Sequence, residues 1–463
     1  MNITKVTIIN FFSILISNII VFFSSAYFSR LIIPSEYGEI AIASTFAGIF
    51  STVLSLQVVS SIGPALKKFG KESTNDYIMN ISIFSTLIYF ILSLIIVIFS
   101  KYILNFMSIS FELLIFALAY GYGLYMVNIF TTANNFDFKP ANNFFVKVSI
   151  SLFSLVVSIF FIYFFDFKKN QLARIIGLGG VYFVFGILVL LYFLIVNRAK
   201  FSKRFYSYSK FCLAFSLPLI LNYIINDALS LTDKLMISKM IDYNRLGIYS
   251  LALSFSNVCL VVAAMFESSF TPFYYKFLDE NNKHNIFYHA NNYIELYTVI
   301  TCGFILLSKE VFFLYADVKY HEGVIMIPVF AVSIYFLFLN LIPMNYHFYN
   351  KISKLSTLSS VVSLFANIIL NYFFIKNLGI IGAAIASALS RLCNFFLNHY
   401  FSSNLIGDRY YLSFPFYLKW IITVLISVVI FYLCFDYYIV RWTLGIIVGT
   451  IELYRILIRK TIF

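Results

Sequence analysis

The dominant feature of this sequence is a series of long apolar stretches that recur from one end of the chain to the other. Hydrophobic residues fill 61% of its 463 positions and charged residues only 11%, whereas a soluble domain carries about 25% charged residues. A helix needs roughly 20 apolar residues to cross a bilayer, and strands of a membrane barrel are about ten residues long and alternate in polarity. The pattern therefore predicts an all-α polytopic membrane protein.

About fourteen membrane-spanning helices are predicted from these stretches. They lie near residues 6–29, 37–62, 77–100, 111–131, 144–165, 174–197, 211–233, 246–272, 292–315, 323–346, 353–375, 379–401, 414–435 and 438–458. The polar segments between them are too short for a nucleotide-binding, glycosyltransferase or protease domain, since domains rarely have fewer than about 50 residues. Almost all of the chain is expected inside the membrane.

The positive charge of the chain indicates its orientation rather than a nucleic-acid partner. The formal net charge is +13, but the Lys and Arg residues lie in short loops between apolar stretches. With the N-terminus inside, most of them fall on the cytoplasmic side, including Lys67, Lys68, Arg204 and Lys351. The positive-inside rule therefore predicts that both termini are cytoplasmic. No nucleic-acid binding is expected.

The two halves of the sequence resemble one another. A shift of 209 residues aligns Gly38 with Gly247, and each glycine is followed by an apolar helix that a proline (Pro64 or Pro272) is expected to close. Six helices per half give both copies the same orientation, so the halves are expected to be parallel repeats around a central cavity that opens alternately to each side. The predicted division is an N-lobe at 1–200, a C-lobe at 201–402 and two additional helices at 403–463.

Three stretches carry a family resemblance. They run from Tyr27 to Ala41 (YFSRLIIPSEYGEIA), from Phe215 to Ala252 (with FSLPLILN, TDKLMIS and LGIYSLA) and from Asn367 to Ala386 (with NIILN and LGIIGAAIA). In this order they resemble the polysaccharide-biosynthesis transporter family, the Wzx-type flippases of the multidrug/oligosaccharidyl-lipid/polysaccharide exporter superfamily. The resemblance covers about the first 400 residues.

The resemblance implies a flippase that moves an undecaprenyl-pyrophosphate-linked oligosaccharide from the inner to the outer leaflet of the bacterial cytoplasmic membrane. That substrate belongs to O-antigen, capsule or related glycan assembly, so membrane lipid, a glycan polymerase and a chain-length regulator are implied partners. No G-x-x-x-x-G-K-[S/T] motif and no nucleophilic triad are present in the sequence. We therefore expect no enzymatic activity, no cofactor and no metal.

Charged and polar residues inside the predicted spans are the candidates for function. Arg391 lies in the twelfth span, where a charge is costly, and is predicted to contact an anionic head group, form an ion pair or reach the inner surface. Asp227 in the seventh span could pair with Arg391, bind a coupling proton or cation, or pack helices. Asn222 and Asn226, four residues apart near Asp227, are further cavity candidates.

Four other residues are candidates for gating or for contacts between the lobes. The resemblance places Asp233 and Lys234 at an acidic-basic pair at the outer end of the seventh helix. Glu267 lies near the inner end of the eighth span and could form a cytoplasmic gate. Pro218 removes a backbone hydrogen bond and could either bend the seventh helix or be a tolerated kink.

Two other transporters and one enzyme class remain as alternatives. A cation-coupled exporter of drugs or small amphiphiles is expected to have twelve spans and acidic residues inside its N-lobe, and the first three spans here have none at mid-helix. A lipid II flippase is expected to carry charge in its first helix, whereas this one has Asn10 and Asn18. A membrane glycan polymerase or acyltransferase would need a large external loop, which is not found.

Overall fold

The protein is built from helices joined by short turns, as a computed structural model of the chain shows. The structure describes residues 3–70, 73–107, 109–137, 139–165, 170–195, 204–405 and 412–459, and this part contains no strand. Its α-helices are α1 (Ile3–Leu31), α2 (Pro34–Val53), α3 (Ile62–Phe69), α4 (Thr74–Ile98), α5 (Ser100–Met107), α6 (Phe111–Phe136), α7 (Pro140–Phe164), α8 (Asn170–Ile175), α9 (Val181–Ile195), α10 (Phe205–Met240), α11 (Tyr243–Asp279), α12 (Lys283–Tyr315), α13 (Ile327–Tyr349), α14 (Ser353–Leu378), α15 (Ile380–Tyr400), α16 (Phe414–Leu433) and α17 (Tyr438–Arg459). Tighter 3-10 turns cover Val58–Ser61 and Val318–Met326, and wider π turns cover Ile176–Gly180 and Phe401–Leu405.

The predicted fold class, an all-α polytopic membrane protein, is confirmed. In the described part of the chain, 12 helical segments are long and apolar enough to cross a membrane, or up to 13 if one bent pair is a single span. The last predicted span, 438–458, corresponds to α17, a 22-residue helix at Tyr438–Arg459.

Two predicted helices have different ends in the structure. The second predicted span is broken, because α2 ends at Val53 and the helix resumes at Val58 with a bend of 40°. The prediction that a proline closes each of these spans was wrong, since α3 continues past Pro64 to Phe69 and α11 continues through Pro272 to Asp279. A proline removes one backbone donor, and membrane helices tolerate this loss because neighbouring groups satisfy the freed carbonyl.

The helices form two compact units, Met1–Gly247 and Ile248–Phe463. In the first, α2 packs against α6 and α10, α6 against α9, and α1 against α7. In the second, α15 packs against α13 and α14, and α12 packs against α16 and α17. This division reflects how the helices pack and does not test the repeat in the sequence. The predicted lobes at 1–200 and 201–402 and the helix pair at 403–463 therefore stay a prediction.

Two ion pairs, one of them buried at its arginine, attach α17 to α12 in the second unit. Arg441 is fully buried and pairs with Glu310, whose second carboxylate oxygen accepts a hydrogen bond from Trp442 Nε1 at 3.1 Å. Later in α17 and earlier in α12, the half-exposed Arg455 pairs through Nη1 with Glu295 Oε1 at 2.9 Å. Breaking a buried pair leaves an uncompensated charge, which is strongly destabilising. The two pairs therefore fix the position of α17 along α12.

Two glycines allow the first turns of α2 and α11 to touch through their backbones. A Cβ atom on Gly38 would clash with the carbonyl oxygen of Tyr243, and one on Gly247 would clash with the carbonyl oxygen of Pro34. The shift of 209 residues that aligns Gly38 with Gly247 also aligns Pro34 with Tyr243. Such a reciprocal contact is what a local two-fold axis between the two segments produces. The sequence repeat therefore has a structural counterpart at this contact.

This contact predicts that two glycine-to-alanine substitutions in α2 have different effects on stability. Gly38→Ala should destabilise the protein by about 1–3 kcal/mol, because the added methyl group forces two backbones apart. Gly48→Ala is the matched control, since a Cβ atom there meets nothing within 4 Å, and it should be neutral or stabilise α2 by up to about 1 kcal/mol. Thermal unfolding of the detergent-solubilised variants measures the difference. Equal midpoints for the two variants would refute the close contact.

Candidate functional site

The first unit contains two polar contacts between α2 and α10. Lys234 Nζ donates a hydrogen bond to Thr45 Oγ1 at 2.5 Å, and Thr52 Oγ1 donates one to Asp227 Oδ2 at 3.0 Å. In each helix the two partners are seven residues apart, so they lie two turns apart on one face. We call these four residues the polar ladder. It places a cation and an anion between the same pair of helices, about two helical turns apart along α10.

Neutral threonine hydroxyls hold the two charges of the ladder. The hydroxyl of Thr45 donates to the carbonyl of Ala41 at 2.9 Å and accepts from Lys234. The hydroxyl of Thr52 has one proton and two acceptors within reach, the carbonyl of Gly48 at 3.2 Å and the carboxylate of Asp227. A hydroxyl stabilises a charge less than an opposite charge does. Both charged groups therefore keep capacity for a further ligand.

A second carboxylate lies beside the cation of the ladder. Asp233 is buried, with 7% of its surface exposed, and interacts electrostatically with the neighbouring Lys234. The acidic-basic pair that the sequence singled out is therefore adjacent in space as well as in sequence. An opposite charge nearby lowers the cost of keeping an ammonium group in an apolar environment.

The helix break follows directly after Thr52. The amide of Gln57 donates to the carbonyl of Thr52 at 3.1 Å, which is one residue further back than in an α-helix. Leu56 and Gln57 have φ angles of 54° and 48°, a left-handed conformation that side chains with a Cβ rarely adopt. Such strained segments concentrate at sites of binding or conformational change. The contact between Thr52 and Asp227 therefore lies next to the strained segment that follows α2.

The other candidates on α10 lie closer to its N-terminus. Asn222 and Asn226 are helical, but their side chains lie outside the described part of the structure. Pro218 lies on an exposed face inside α10, which continues to Met240. The helix therefore tolerates the proline, and the proposed bending at this position stays a prediction.

Arg391 lies in the second unit, on α15. It is half-buried, and its charge acts on the phenol of Tyr297, which is buried on α12 and donates a hydrogen bond to the carbonyl of Cys259 at 3.0 Å. Its predicted contact with an anionic head group and its predicted pairing with Asp227 both stay predictions.

Glu267 lines a cleft within the second unit. The cleft lies between α11, α12 and α13 and is narrow, with room for about one water molecule. Glu267 is half-buried there, near Thr271, Tyr293 and Asn345. The structure shows which residues surround the carboxylate of Glu267, and its role as a gate stays a prediction.

Sequence reasoning missed the partners of the candidate residues. Thr45 and Thr52 are seven residues apart in an apolar helix, which is a weak signal because such threonines often bond only to their own helix. Asn345 and Thr271 gave no signal at all, since they are 74 residues apart in sequence. In the described residues, no group of three or more His, Cys, Asp or Glu side chains could hold a metal ion.

The comparison with solved structures gives matches over almost the whole chain. The structure is similar to the lipid II flippase MurJ in an inward closed conformation, with a TM-score of 0.74, 17% identity and coverage of 98% of this chain and 100% of that one. It is also similar to an inward-facing multidrug resistance transporter of the MATE family, with a TM-score of 0.66, 15% identity and coverage of 87% and 98%. For the eukaryotic MATE transporter AtDTX14 the TM-score is 0.55, the identity is 14% and the coverage is 91% and 98%. At these identities the likeness concerns the fold, which is that of membrane transporters.

The comparison with protein families identifies the chain. No curated protein sequence matches it significantly. The sequence profile described as "Polysaccharide biosynthesis protein" matches residues 3–277, which is more than half of the chain. Two of the three stretches that suggested a transporter of polysaccharide biosynthesis, those that begin at Tyr27 and Phe215, lie within this range, and the third, which begins at Asn367, lies outside it. The chain therefore belongs to the polysaccharide biosynthesis protein family.

Proposed function

We propose that this protein is a flippase that moves an undecaprenyl-pyrophosphate-linked oligosaccharide from the inner to the outer leaflet. The observation that carries the proposal is the polar ladder, which places Lys234 and Asp227 of α10 against threonines of the apolar helix α2 in a chain from this family. Charged groups in membrane-spanning segments are rare and usually mark a substrate or ion pathway. Membership of the family supports a glycan-related substrate, and the fold supports a transporter.

The chemistry of the ladder fits a lipid-linked glycan. A pyrophosphate cannot cross hydrocarbon unaided, because burying an unpaired charge costs many kcal/mol. We assign Lys234 to the pyrophosphate, since its ammonium group donates a hydrogen bond to a neutral hydroxyl. Arg391 stays a separate candidate for contact with an anionic head group. The lipid tail would remain in the bilayer throughout.

The carboxylate of the ladder is assigned to coupling. Asp227 would bind a proton or a cation, with Thr52 as its hydrogen-bond partner. The strained segment that follows Thr52 and the proline at 218 would absorb the backbone changes of alternating access. Asn222 and Asn226 would line the cavity, and Asp233 would anchor the end of α10 or an inter-lobe gate.

The proposed setting is the bacterial cytoplasmic membrane, with both termini in the cytoplasm. The twelve or more candidate spans of the described part support a multi-pass protein, and the loop charges support this orientation. Glycans of the O-antigen or capsule type are the proposed cargo, and a polymerase and a chain-length regulator are proposed partners on the outer side.

The second candidate function is cation-coupled export of drugs or small amphiphiles. It is favoured by the similarity to MATE transporters and by the carboxylate of Asp227 in the first unit. A lipid II flippase is a third candidate, favoured by the similarity to MurJ. The absence of charge in the sequence between Lys5 and Arg30 speaks against that substrate.

The sidedness of the lipid-linked glycan in cells distinguishes these functions. Deleting the chain should leave the intermediate on the inner leaflet, where an impermeant glycan-modifying probe cannot reach it. Restoring the wild-type chain should restore labelling. Normal labelling of the glycan in deleted cells, together with loss of drug resistance, would favour export. Failure to expose lipid II instead would favour the third candidate.

Substitutions in the ladder should separate its two proposed roles. Lys234→Met should lower transport at least about tenfold, because it removes a charge-assisted contact worth about 1.5–3 kcal/mol, and Lys234→Arg should retain part of it. Asp227→Asn should abolish coupling, whereas Thr52→Val, which keeps the carboxylate, should retain most activity. Lys239→Met, at an exposed position of the same helix, is the control. Unchanged transport in Lys234→Met at normal expression would contradict the anion contact.

A further inference from the structure

Three asparagines of the second unit are joined in one branched set of hydrogen bonds. The amide nitrogen of Asn398, on α15, donates to Asn340 Oδ1 of α13 and to Asn394 Oδ1 of α15, both at 2.8 Å. A side-chain amide has two N–H donors, so these bonds use both of them. Asn398 is buried, with 1% of its surface exposed, and its Oδ1 accepts from Ser359 Oγ at 2.8 Å. We call Asn340, Asn394 and Asn398 the amide triad.

The hydroxyl of Ser359 sets the direction of these hydrogen bonds. Its single proton has two acceptors within reach, Asn398 Oδ1 at 2.8 Å and the carbonyl of Leu355 at 3.0 Å, and the contact with the amide is the shorter one. Because Oδ1 of Asn398 accepts, its nitrogen donates to the other two members of the triad. Their oxygens therefore face Asn398, and their amide nitrogens point away from it.

These two outward nitrogens are accessible donors. Among the described residues, Asn340 and Asn394 use only their oxygens in hydrogen bonds with other side chains. Both side chains are half-buried, and neither nitrogen is fully enclosed by protein. The triad therefore presents four N–H donors, two on each nitrogen, to open space.

The open space lies on the side of α15 that faces away from lipid. The exposed side chains of Leu389 and Phe396 project about 140–160° around the helix from Asn394, since an α-helix has 3.6 residues per turn. Asn340 and Asn394 are at least nine residues from the nearest end of their candidate spans. At that depth a donor that faced hydrocarbon would be costly, because lipid tails offer no acceptor. The outward nitrogens are therefore placed to meet a polar ligand.

The donors select a ligand that is rich in acceptor oxygens. Arg391 lies three residues before Asn394 on the same face of α15, so its guanidinium adds positive charge and further donors. A cation would be repelled by this charge. A sugar hydroxyl donates as well as accepts, whereas the oxygens of Asn340 and Asn394 already accept from Asn398. The oxygens of an ionised phosphate or carboxylate only accept, and they match a site that donates.

We propose that Asn340, Asn394 and Arg391 form an oxyanion site, which binds a phosphate or carboxylate group of the transported glycolipid. Asn398 orients the two amides and is itself too deeply buried to touch the ligand. The proposal rests on the proposed function and deepens it, because it adds a substrate contact in the second unit. Its ligand is either the phosphate that joins the glycan to the lipid or the carboxylate of an acidic sugar.

Binding of small oxyanions to the purified full chain tests the site. Saturation-transfer NMR would compare methyl phosphate, methyl glucuronide and the neutral methyl glucoside, since each carries a methyl group that reports binding. At least one of the two oxyanions should bind, and it should bind more tightly than the glucoside. Methyl phosphate as the better ligand would identify the lipid-linked phosphate as the source, and methyl glucuronide would identify an acidic sugar.

Substitution of asparagine by aspartate isolates the outward nitrogens. Asn340→Asp and Asn394→Asp keep an oxygen that accepts from Asn398 and replace the outward nitrogen by a second oxygen. Each should weaken oxyanion binding about tenfold or more, since hydrogen bonds to a charged acceptor are lost. Asn394→Leu removes the nitrogen whatever the protonation state of an aspartate would be, and it should have a similar effect. Asn377→Asp, at an exposed position near the end of α14, is the matched control and should leave binding unchanged.

The outcomes separate this proposal from the proposed function. If neither oxyanion binds the wild-type chain, if the glucoside binds as tightly as they do, or if all the variants of Asn340 and Asn394 bind as the wild type does, the site is refuted. The sidedness of the lipid-linked glycan in cells tests the flippase independently. Glycan exposure that needs the chain but is unaffected when Asn340→Asp and Asn394→Asp are combined would retain the flippase and reject the substrate contact. Oxyanion binding that depends on both asparagines, without any effect of the chain on sidedness, would retain the site and reject the flippase.

Discussion

Polar groups in the hydrocarbon interior must find their partners within the protein, because no water is present to replace them. This constraint explains the contacts that define the structure. Arg441 is fully buried and is matched by Glu310, and this pair attaches α17 to α12. The polar ladder satisfies the constraint differently, since its two charges hydrogen-bond to neutral hydroxyls, and the carboxylate of Asp233 lies beside Lys234. The first arrangement is complete and holds helices together, whereas the second leaves capacity for a ligand.

Close backbone contacts and a local break complement these polar contacts. Helices in membranes lack a hydrophobic driving force for association, so small residues that permit close approach become important. Gly38 and Gly247 provide such an approach between the first turns of α2 and α11. Just after the end of the same α2, the left-handed residues Leu56 and Gln57 separate it from the next helical turn. One helix thus combines a rigid contact at its start with a strained end beside the ladder.

The sequence predicts the helical class well because it depends on apolar length, which can be read directly. It predicts part of the candidate site, because an isolated charge such as Asp227 is conspicuous in an apolar stretch. It could not predict Thr52 as its partner, since the two residues are 175 positions apart and threonine is common in such helices. The break after Val53 was missed because no glycine or proline marks it. The aromatic residues that line the cleft near Glu267, among them Phe266 and Tyr293, were obscured by the abundance of Phe and Tyr throughout the chain.

The central claim is that this chain alone moves a lipid-linked glycan through the polar ladder, and transport in proteoliposomes tests it most directly. The purified protein would be reconstituted with an undecaprenyl-pyrophosphate-linked oligosaccharide, and the appearance of the glycan in the opposite leaflet would be followed with an impermeant probe. The account predicts transfer by the wild-type chain and loss of transfer when Asp227→Asn and Lys234→Met are combined. Equal transfer by the double variant, or none by a correctly folded wild-type chain, would contradict it.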